Sequence, residues 1–311
     1  MKIIDRNFFP GWVRKSITFT IDDGNLKMDR KFLDITEPAG LKGTFNLNTP
    51  LKRGTPEEYV AFYKGYEISN HCKYHPMAFS PRMPLRPVSE EAFDKTTANP
   101  EFLYRAKENG VYWGNEAPRN RWWHVATDEK YLACALDATR ELEGVFGKGS
   151  IKDFVWPFGA QANEAVFEGL KKQGYRSIRK TGCVKDSTNF ALPADRMAWS
   201  YNANNTCMTE CGAQYDALAD DGELKFFCFG VHSHDFENAN NWEVLVDFCE
   251  KYGNRPDTFW YASVGEIFDY EDAVKAVQIT DDKIINPSPV DLYIKIDGEP
   301  IKLAAHSKQS I

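Results

Sequence analysis

The sequence lacks any long apolar segment. None of its apolar runs approaches the ~20 residues that a membrane-spanning helix needs, and its start, MKIIDRNFFPGWVRKS, lacks the apolar core of a secretory signal. An excess of basic charge is also missing, because the net charge is −7 at pH 7. Nucleic acids and anionic membranes bind basic surfaces, so neither is an expected partner. We therefore expect a soluble, cytoplasmic protein.

A disulfide framework is missing as well. The seven cysteines are an odd number and are scattered along 311 residues, which fits a reducing compartment. Cys207 and Cys211 are four residues apart, but no second cysteine pair accompanies them. A structural zinc site made of cysteines is therefore not expected.

Strand-like and helix-like segments alternate along most of the chain. SITFTID (16–22), LKGTFNLN (41–48) and YEISNH (66–71) are rich in β-forming residues, and segments of helical spacing lie between them. The apolar share of 42% is sufficient for a sizeable core. This alternation predicts a mostly parallel sheet, either open or closed into a barrel.

Two segments interrupt the alternation. Residues 76–126 contain six prolines and have weak periodicity, which indicates an insertion. The end of the chain is rich in β-forming residues around a turn at Asp297-Gly298, which predicts a short C-terminal hairpin. We expect a barrel over residues 1–278 and a C-terminal β extension over residues 279–311, packed on the barrel.

Two acidic residues follow the first predicted barrel strand. Asp22 and Asp23 precede Gly24 in TFTIDDG, and adjacent carboxylates repel each other unless they have partners. A simple strand-to-loop turn is one interpretation, since Asp-Gly is common in turns. A functional pair of carboxylates is the other.

Only six histidines occur, and four of them form two clusters. His71 and His75 lie four apart in NHCKYHP, so a helical turn would place both imidazoles on one face, in reach of one metal ion. His232 and His234 follow the apolar run LKFFCFGV. Each cluster alone could equally be surface histidines on a helix or a polar strand end.

Together, the acidic pair and the two histidine clusters indicate a single site. In a barrel of parallel strands, the C-terminal strand ends share one face, where such enzymes keep their chemistry. One carboxylate with two histidines suits a Lewis-acidic divalent ion with open coordination positions. The second carboxylate is then a candidate general base, and His232 a candidate general acid.

These motifs resemble those of the NodB-type polysaccharide deacetylases, the family 4 carbohydrate esterases, in a bacterial branch without signal peptides. Thr20–Gly24 resembles the first motif, TFDDG, and His71–Pro76 the second, H-S/T-x-x-H-P. VWPFG at 155–159 and FGVH at 229–232 resemble two later motifs. The resemblance covers roughly residues 14–277 and implies a deformed (β/α)7-type barrel.

The resemblance also implies roles. Asp23, His71 and His75 would hold one divalent ion, with zinc expected and cobalt, nickel or iron as alternatives. Asp22 would deprotonate the attacking water, and His232 would protonate the leaving amine or alcohol. The expected activity is the metal-dependent removal of N- or O-acetyl groups from a carbohydrate, such as an oligosaccharide.

Four residues are candidate substrate contacts. The backbone N–H of Phe158 would stabilise the oxyanion. Trp199 belongs to the segment that resembles the fourth motif, and His234 is either a substrate contact or a loop residue. Trp123 could stack on a sugar ring or anchor the insertion to the barrel.

Two family features are missing. The arginine that contacts the base in the family aligns with Val155, and the fourth-motif aspartate is lost beside Trp199. Asp195, Arg176 and Arg179 are candidate replacements. These losses leave two alternatives open: a hydrolase of a small non-sugar amide or cyclic imide, and a non-catalytic carbohydrate-binding relative.

Overall fold

A computed structural model of the chain describes residues 2–78, 86–88, 107–108, 111–114, 125–126, 128–159, 164–180 and 190–311. Seven parallel strands form its central sheet: β2 (Lys15–Asp22), β3 (Gly43–Thr49), β4 (Glu67–Lys73), β10 (Asp153–Val155), β11 (Ser177–Arg179), β12 (Lys225–His232) and β13 (Phe259–Tyr261). They follow the order β11-β10-β4-β3-β2-β12, and β13 pairs with the start of β2.

Helices alternate with these strands and cover the sheet. They are α1 (Leu26–Thr36), α2 (Pro56–Phe62), α3 (Asp128–Phe146), α4 (Glu164–Lys172), α5 (Met208–Asp216), α6 (Ser233–Ala239), α7 (Trp242–Tyr252) and α8 (Val264–Ala276). Side-chain caps fix several helix starts; α2, for instance, begins with Thr55 accepting from the Glu58 N–H and Pro56 at the first position.

The two faces of β2 differ in polarity. Phe19 packs with Phe32 of α1 in the main apolar core. The residues that alternate with it are small and polar, and they hydrogen-bond inside the sheet: the Ser16 hydroxyl donates to the Lys225 carbonyl, and Thr20 accepts from Asn46. Because side chains alternate along a strand, Asp22 lies on this polar inner face.

The sheet closes through a segment that is not a strand. Residues 196–203 lie between β11 and β12, with bridges that pair Arg179 with Trp199 and Ala203 with Phe229. The Lys180 N–H donates to the Trp199 carbonyl at 2.8 Å, which joins the segment to the end of β11. The fold is thus the predicted deformed (β/α) barrel.

The end of the chain is larger than the predicted hairpin. Two three-stranded sheets form there: β1 (Ile4–Phe8), β16 (Leu292–Ile296) and β17 (Glu299–Leu303) make one, and β14 (Gln278–Ile279), β15 (Lys283–Asn286) and β18 (Ser307–Ser310) the other. The chain reverses between β16 and β17 at Asp297-Gly298, both with positive φ. The sequence pattern did not reveal that β1, from the other end of the chain, completes the first sheet. The division into two domains stays a prediction.

Within the predicted insertion the described pieces are short strands. Met77–Ala78 (β5) pairs with Val125–Ala126 (β9), and Arg86–Val88 (β6), Lys107–Glu108 (β7) and Val111–Gly114 (β8) form an antiparallel sheet. In the parts of the chain that the structure describes, no helix is long and apolar enough to cross a membrane.

Candidate metal centre and active site

The strand ends bring the predicted residues to one face of the barrel. Asp22 ends β2 and is paired in register with His232, which ends β12. His71 lies near the end of β4, two strands away from β2. Asp23 follows β2 with a φ of 76°, a left-handed conformation that aspartate tolerates better than most residues. This turn lets two successive carboxylates face the same site, where strand alternation would separate them.

Three side chains converge as ligands of one ion would. The Asp23 Oδ1 lies 3.6 Å from the His71 Nε2 and 3.5 Å from the His75 Nε2, and the two Nε2 atoms are 3.1 Å apart. Ligand atoms about 2.0–2.1 Å from a tetrahedral zinc ion stand about 3.3 Å from one another. The three residues therefore fit a divalent metal ion.

The protonation of the two histidines suits this purpose. The His71 Nδ1 lies 3.0 Å from the Val155 carbonyl, which can only accept, so the proton is on Nδ1 and the Nε2 lone pair faces the centre. Burial and the neighbouring His71 lower the pKa of His75 to about 4. His75 is consequently neutral at physiological pH, the form that binds metals.

The segment from His71 to His75 is not the helical turn that the spacing suggested. His71 is still in β4, and Cys72, Tyr74 and His75 all have positive φ. The Tyr74 N–H donates to the Thr49 carbonyl at 2.6 Å, which holds this tight turn against β3. The turn, rather than helical periodicity, brings His75 back over His71. The Cys72 side chain points into the core and is fully buried.

Asp22 is ionised in a buried setting. Its Oδ1 accepts from the Asn46 Nδ2 at 2.7 Å and from the guanidinium of Arg179. Burial alone would raise the pKa of Asp22, but the charge of Arg179 holds that pKa well below its usual range. Arg179 itself is 1% exposed, so the two charges form a buried ion pair.

Of the three candidate replacements for the arginine expected at position 155, Arg179 is the one that contacts Asp22. Residues Val155 and Arg179 are paired in register on adjacent parallel strands, so their side chains point to the same face. The guanidinium reaches Asp22 from one strand further along the sheet. Of the other candidate replacements, Arg176 pairs with Asp153 and Glu67, and the Asp195 carboxylate accepts from the Met197 N–H.

His232 is held by the next turn of the chain. The Asp235 Oδ2 lies 3.0 Å from the His232 Nδ1 and accepts from the His232 backbone N–H at 2.9 Å. Burial would lower the pKa of His232, but the hydrogen bond to Asp235 and the charges of Asp22 and Asp23 raise it to about 9. His232 is therefore protonated at neutral pH, and its Nε2 lies 3.7 Å from the Asp23 Oδ2.

A buried acid supports this corner. Asp29 of α1 is fully buried and accepts from the Tyr63 hydroxyl at 2.6 Å and from the Ser233 hydroxyl at 2.5 Å. Ser233 directly follows His232, so the contact anchors the start of α6. Burial raises the pKa of Asp29 to about 6.

A second group of side chains near His232 also has metal-ligand chemistry. His232, His234 and Asp235 each place a ligand atom within 4.8 Å of the others. In this group, however, the His232 Nδ1 is already hydrogen-bonded to Asp235. Asp23, His71 and His75 remain the better metal site because both Nε2 atoms face the Asp23 Oδ1, whose other contact is a hydrogen bond from the Asn48 amide at 3.2 Å.

The predicted substrate contacts have different outcomes. Phe158 has a φ of 55°, and its ring meets that of His75 at 4.4 Å between centroids. The His234 ring lies 4.9 Å from that of His232. Trp123 lies outside the described residues. Phe158 and His234 are thus beside the centre, and their contacts with a substrate stay predictions.

The prediction for Trp199 is wrong. Its indole is 4% exposed and packs on Phe226 and Phe268, while its Nε1 donates to the Ser177 hydroxyl at 3.3 Å. The side chain therefore belongs to the core, and a substrate cannot reach it. The resemblance to the fourth family motif suggested a substrate contact, but the segment 196–203 closes the barrel and buries the indole.

Sequence reasoning named Arg179 only as one of three candidate replacements and did not assign Asn46 or Asp235 to the site. Asn46 could have been found because it follows the inward alternation of β3. Asp235 lies three residues after His232, a spacing that lets a helix-start side chain reach back. For Arg179 only the register with Val155 is decisive, and a sequence does not show strand register.

Family membership follows from the sequence match. The model of the polysaccharide deacetylase family matches residues 13–178, more than half of the chain. The chain belongs to the polysaccharide deacetylase family. Among curated proteins no sequence matches this deacetylase-family chain.

Solved structures of the same family are similar to this family member in outline. The Xyl-CE4 domain of a multidomain xylanase from the hindgut metagenome of Trinervitermes trinervoides is 15% identical, with a TM-score of 0.45 over 84% of this chain and 92% of that one. A cobalt-bound acetyl xylan esterase from Clostridium thermocellum is 12% identical, with a TM-score of 0.45 over 83% and 92%.

A pseudoenzyme of family 4 from Bacillus anthracis is similar too. It is 11% identical, with a TM-score of 0.42 over 82% of this chain and 66% of that one. At such low identities a structural likeness says nothing about substrate or activity.

Proposed function

We propose that this member of the polysaccharide deacetylase family is a metal-dependent hydrolase that removes acetyl groups from a carbohydrate, such as an oligosaccharide. The observation that carries the proposal is the spacing of Asp23, His71 and His75, whose ligand atoms stand 3.1–3.6 Å apart. An ionised Asp22 and a protonated His232 flank them, which is the pairing that acetyl hydrolysis needs.

Asp23, His71 and His75 are the residues that would hold the ion, which we expect to be zinc. A divalent ion bound there supplies Lewis acidity, which polarises an acetyl carbonyl and makes a water molecule more acidic. The hydrogen bond from the His71 Nδ1–H to Val155 and the one from Asn48 to the Asp23 Oδ1 at 3.2 Å keep the donor atoms aimed at the centre.

Asp22 would act as the general base. Its carboxylate is ionised, and Arg179 and Asn46 fix its orientation through Oδ1. The Oδ2 atom lies 4.0 Å from the His71 Nε2, next to the metal centre. It can there accept the proton of the attacking water, whose acidity compensates for the low basicity of Asp22.

His232 would act as the general acid. It holds a proton at neutral pH, and Asp235 orients the ring through Nδ1, which leaves Nε2 free to deliver that proton to the leaving amine or alcohol. The backbone N–H of Phe158, whose ring contacts that of His75, would stabilise the oxyanion. Both assignments are proposals from position and charge.

A non-catalytic carbohydrate-binding protein is the weaker alternative. A sugar-binding surface does not need a buried Asp22–Arg179 ion pair, and taking two charges out of water is expensive. Hydrolysis of a small amide or cyclic imide would use the same residues, and the released product distinguishes it from deacetylation.

Metal content is the first test. Wild type loaded with zinc and then dialysed is expected to hold close to one ion per chain by elemental mass spectrometry, and His75→Ala to hold far less. His306→Ala is the matched control, because His306 is an exposed histidine of the C-terminal sheets. Failure of wild type to retain zinc, cobalt, nickel or iron would overturn the metal-dependent proposal.

Acetate release is the second test. The loaded protein is expected to free acetate from acetylated oligosaccharides, and Asp22→Asn to lose this activity while keeping its metal. Release of ammonia or of a ring-opened amide, without acetate from any sugar, would favour the small-amide alternative.

A further inference from the structure

A pocket of about 290 Å³ opens beside the candidate metal centre. Residues 47–53, which are the end of β3 and the loop after it, form one wall, Tyr59 and Tyr74 contribute another, and Asp23 and His75 of the centre complete the lining. The volume is close to the lower end of the ~300–1,000 Å³ usual for small-molecule sites. We call this cavity the β3-loop pocket. It is large enough for a sugar unit next to the reacting acetyl group.

Two cationic side chains line the pocket, although the protein is acidic overall. Lys52 and Arg53 are both exposed, and their side chains form no ion pair or hydrogen bond with any residue that the structure describes. Asp23 is the single carboxylate in the lining, and its Oδ1 already contacts Asn48 and the two histidines. Among the described residues, the wall formed by Lys52 and Arg53 therefore has positive charge without a paired carboxylate.

The loop that carries these cations is fixed at both ends. The backbone N–H of Arg53 donates to the hydroxyl of Tyr59, which is 2% exposed, at 3.3 Å. The Thr49 carbonyl accepts from the Tyr74 N–H at 2.6 Å. Thr49 also lines the pocket, and its buried hydroxyl has no hydrogen-bond partner in the described part of the chain.

Arg53 lies near the His232 side of the centre as well. Burial and the charge of His232 lower the pKa of His234, and the charge of Arg53 lowers it further. Burial raises the pKa of Asp29, and Arg53 opposes this rise. The guanidinium thus lies within Coulomb range of both residues.

We propose that the β3-loop pocket binds an anionic group, a carboxylate or a phosphate, so that the preferred ligand is an acidic carbohydrate. Lys52 and Arg53 supply the charge, and Arg53 can hold a carboxylate or phosphate with two parallel hydrogen bonds. The conclusion that this carbohydrate is also acetylated rests on the proposed function. The binding of the anionic group does not.

Binding of unacetylated sugars in matched pairs tests the pocket directly. One pair is xylotetraose with and without a glucuronic acid branch, and the other is glucosamine 6-phosphate and glucosamine. Calorimetry in low salt is expected to show at least one anionic member binding about tenfold tighter than its neutral partner, the effect of about one charged hydrogen bond. A preference within the xylotetraose pair would identify a carboxylate as the bound group, and a preference within the glucosamine pair would identify a phosphate.

Variants then assign the effect to the pocket. Lys52→Ala/Arg53→Ala, and separately Arg53→Gln, are expected to abolish most of the preference and leave binding of the neutral sugars unchanged. Arg140→Ala is the matched control, since Arg140 is an exposed arginine on the outer surface of α3. Equal binding of the neutral and anionic members, no binding of either, or a preference that survives in the double variant would overturn the inference.

Acetate release separates this inference from the proposed function. If the loaded protein frees acetate equally from neutral and acidic acetylated xylooligosaccharides, with no change in Arg53→Gln, the pocket inference fails and the deacetylase stands. If no sugar releases acetate but the anion preference is present and depends on Arg53, the pocket stands and the deacetylase fails.

Discussion

The two sides of the candidate centre hold opposite charges by different means. On one side Asp22 is 5% exposed and pairs with a fully buried Arg179. On the other side His232 has a side chain that is 36% exposed and pairs with Asp235, which is similarly exposed. Both pairs fix a protonation state, but the first is shielded from water and the second is open to it.

The difference shows what burial does to a charge pair. Without water, the attraction between two charges is strong, but each charge alone would be very unfavourable. Removal of either partner of the Asp22–Arg179 pair would therefore leave a buried charge uncompensated. The His232–Asp235 pair is screened, contributes little to stability, and can release its proton when a leaving group needs it.

Replacement of the base is expected to have the largest effect. Asp22→Asn should lower the rate of acetate release by about 10²–10⁴-fold, the usual contribution of a positioned general base. Its metal content should match that of wild type, because Asp22 is not one of the three ligands. An unchanged rate would show that Asp22 is not the base.

Replacement of Arg179 tests how much the buried pair matters for stability. Arg179→Met should lower the free energy of unfolding by about 3–5 kcal/mol, because it leaves Asp22 charged and unpaired. Urea denaturation measures this loss. Arg140→Met, which breaks only the exposed pair with Asp137, should cost about 1 kcal/mol or less.

A double variant sharpens the result. Asp22→Asn/Arg179→Met should be more stable than the sum of the single changes predicts, since neither charge is then left alone. Additive losses would mean that the two side chains do not form the buried pair.

Asp29 gives the anchor of His232 a pH dependence. Its pKa of about 6 in the folded protein is above the ordinary value of 3.8, so the folded state holds the proton more tightly. The contribution of Asp29 to the free energy of unfolding is then fully present below about pH 4. It falls by about 3 kcal/mol as the pH rises through 6. Urea denaturation at several pH values should show this fall in wild type and a flatter curve in Asp29→Asn.

Removal of the open pair is expected to have the smallest effect at neutral pH. Asp235→Asn should lower the pKa of His232 from about 9 toward its ordinary value, by about 1–2 pH units. The alkaline limb of the pH–rate profile should shift to lower pH by the same amount, because His232 then loses its proton at a lower pH. Glu237→Gln, which alters an exposed carboxylate of α6, should leave the profile in place.

Much of the centre could be predicted from the sequence, because the rules involved are local or depend on the fold class. The shared face of barrel strand ends was enough to bring Asp22, Asp23, His71 and His232 together. His75 was predicted for a wrong reason: a helical turn was assumed, whereas left-handed residues at Cys72 and Tyr74 make the turn. Non-glycine residues give no sequence signal for that conformation.

Other features depend on contacts between distant segments. Burial of Trp199 follows from the closure of the barrel by 196–203, and the pairing of β1 with β16 joins the two ends of the chain. Such contacts are set by tertiary packing, so local patterns along the chain do not contain them.

The register between β10 and β11 also has a practical consequence for finding related enzymes. Val155 and Arg179 are 24 positions apart along the chain but at the same height in the barrel. A motif search that requires an arginine at the position of Val155 would discard this protein as inactive. A search that asks which cation lies near Asp22, whatever strand supplies that cation, would retain this protein. Divergent barrels are therefore better compared by the height of a residue in the barrel and by its neighbouring strand than by the order of motifs along the chain.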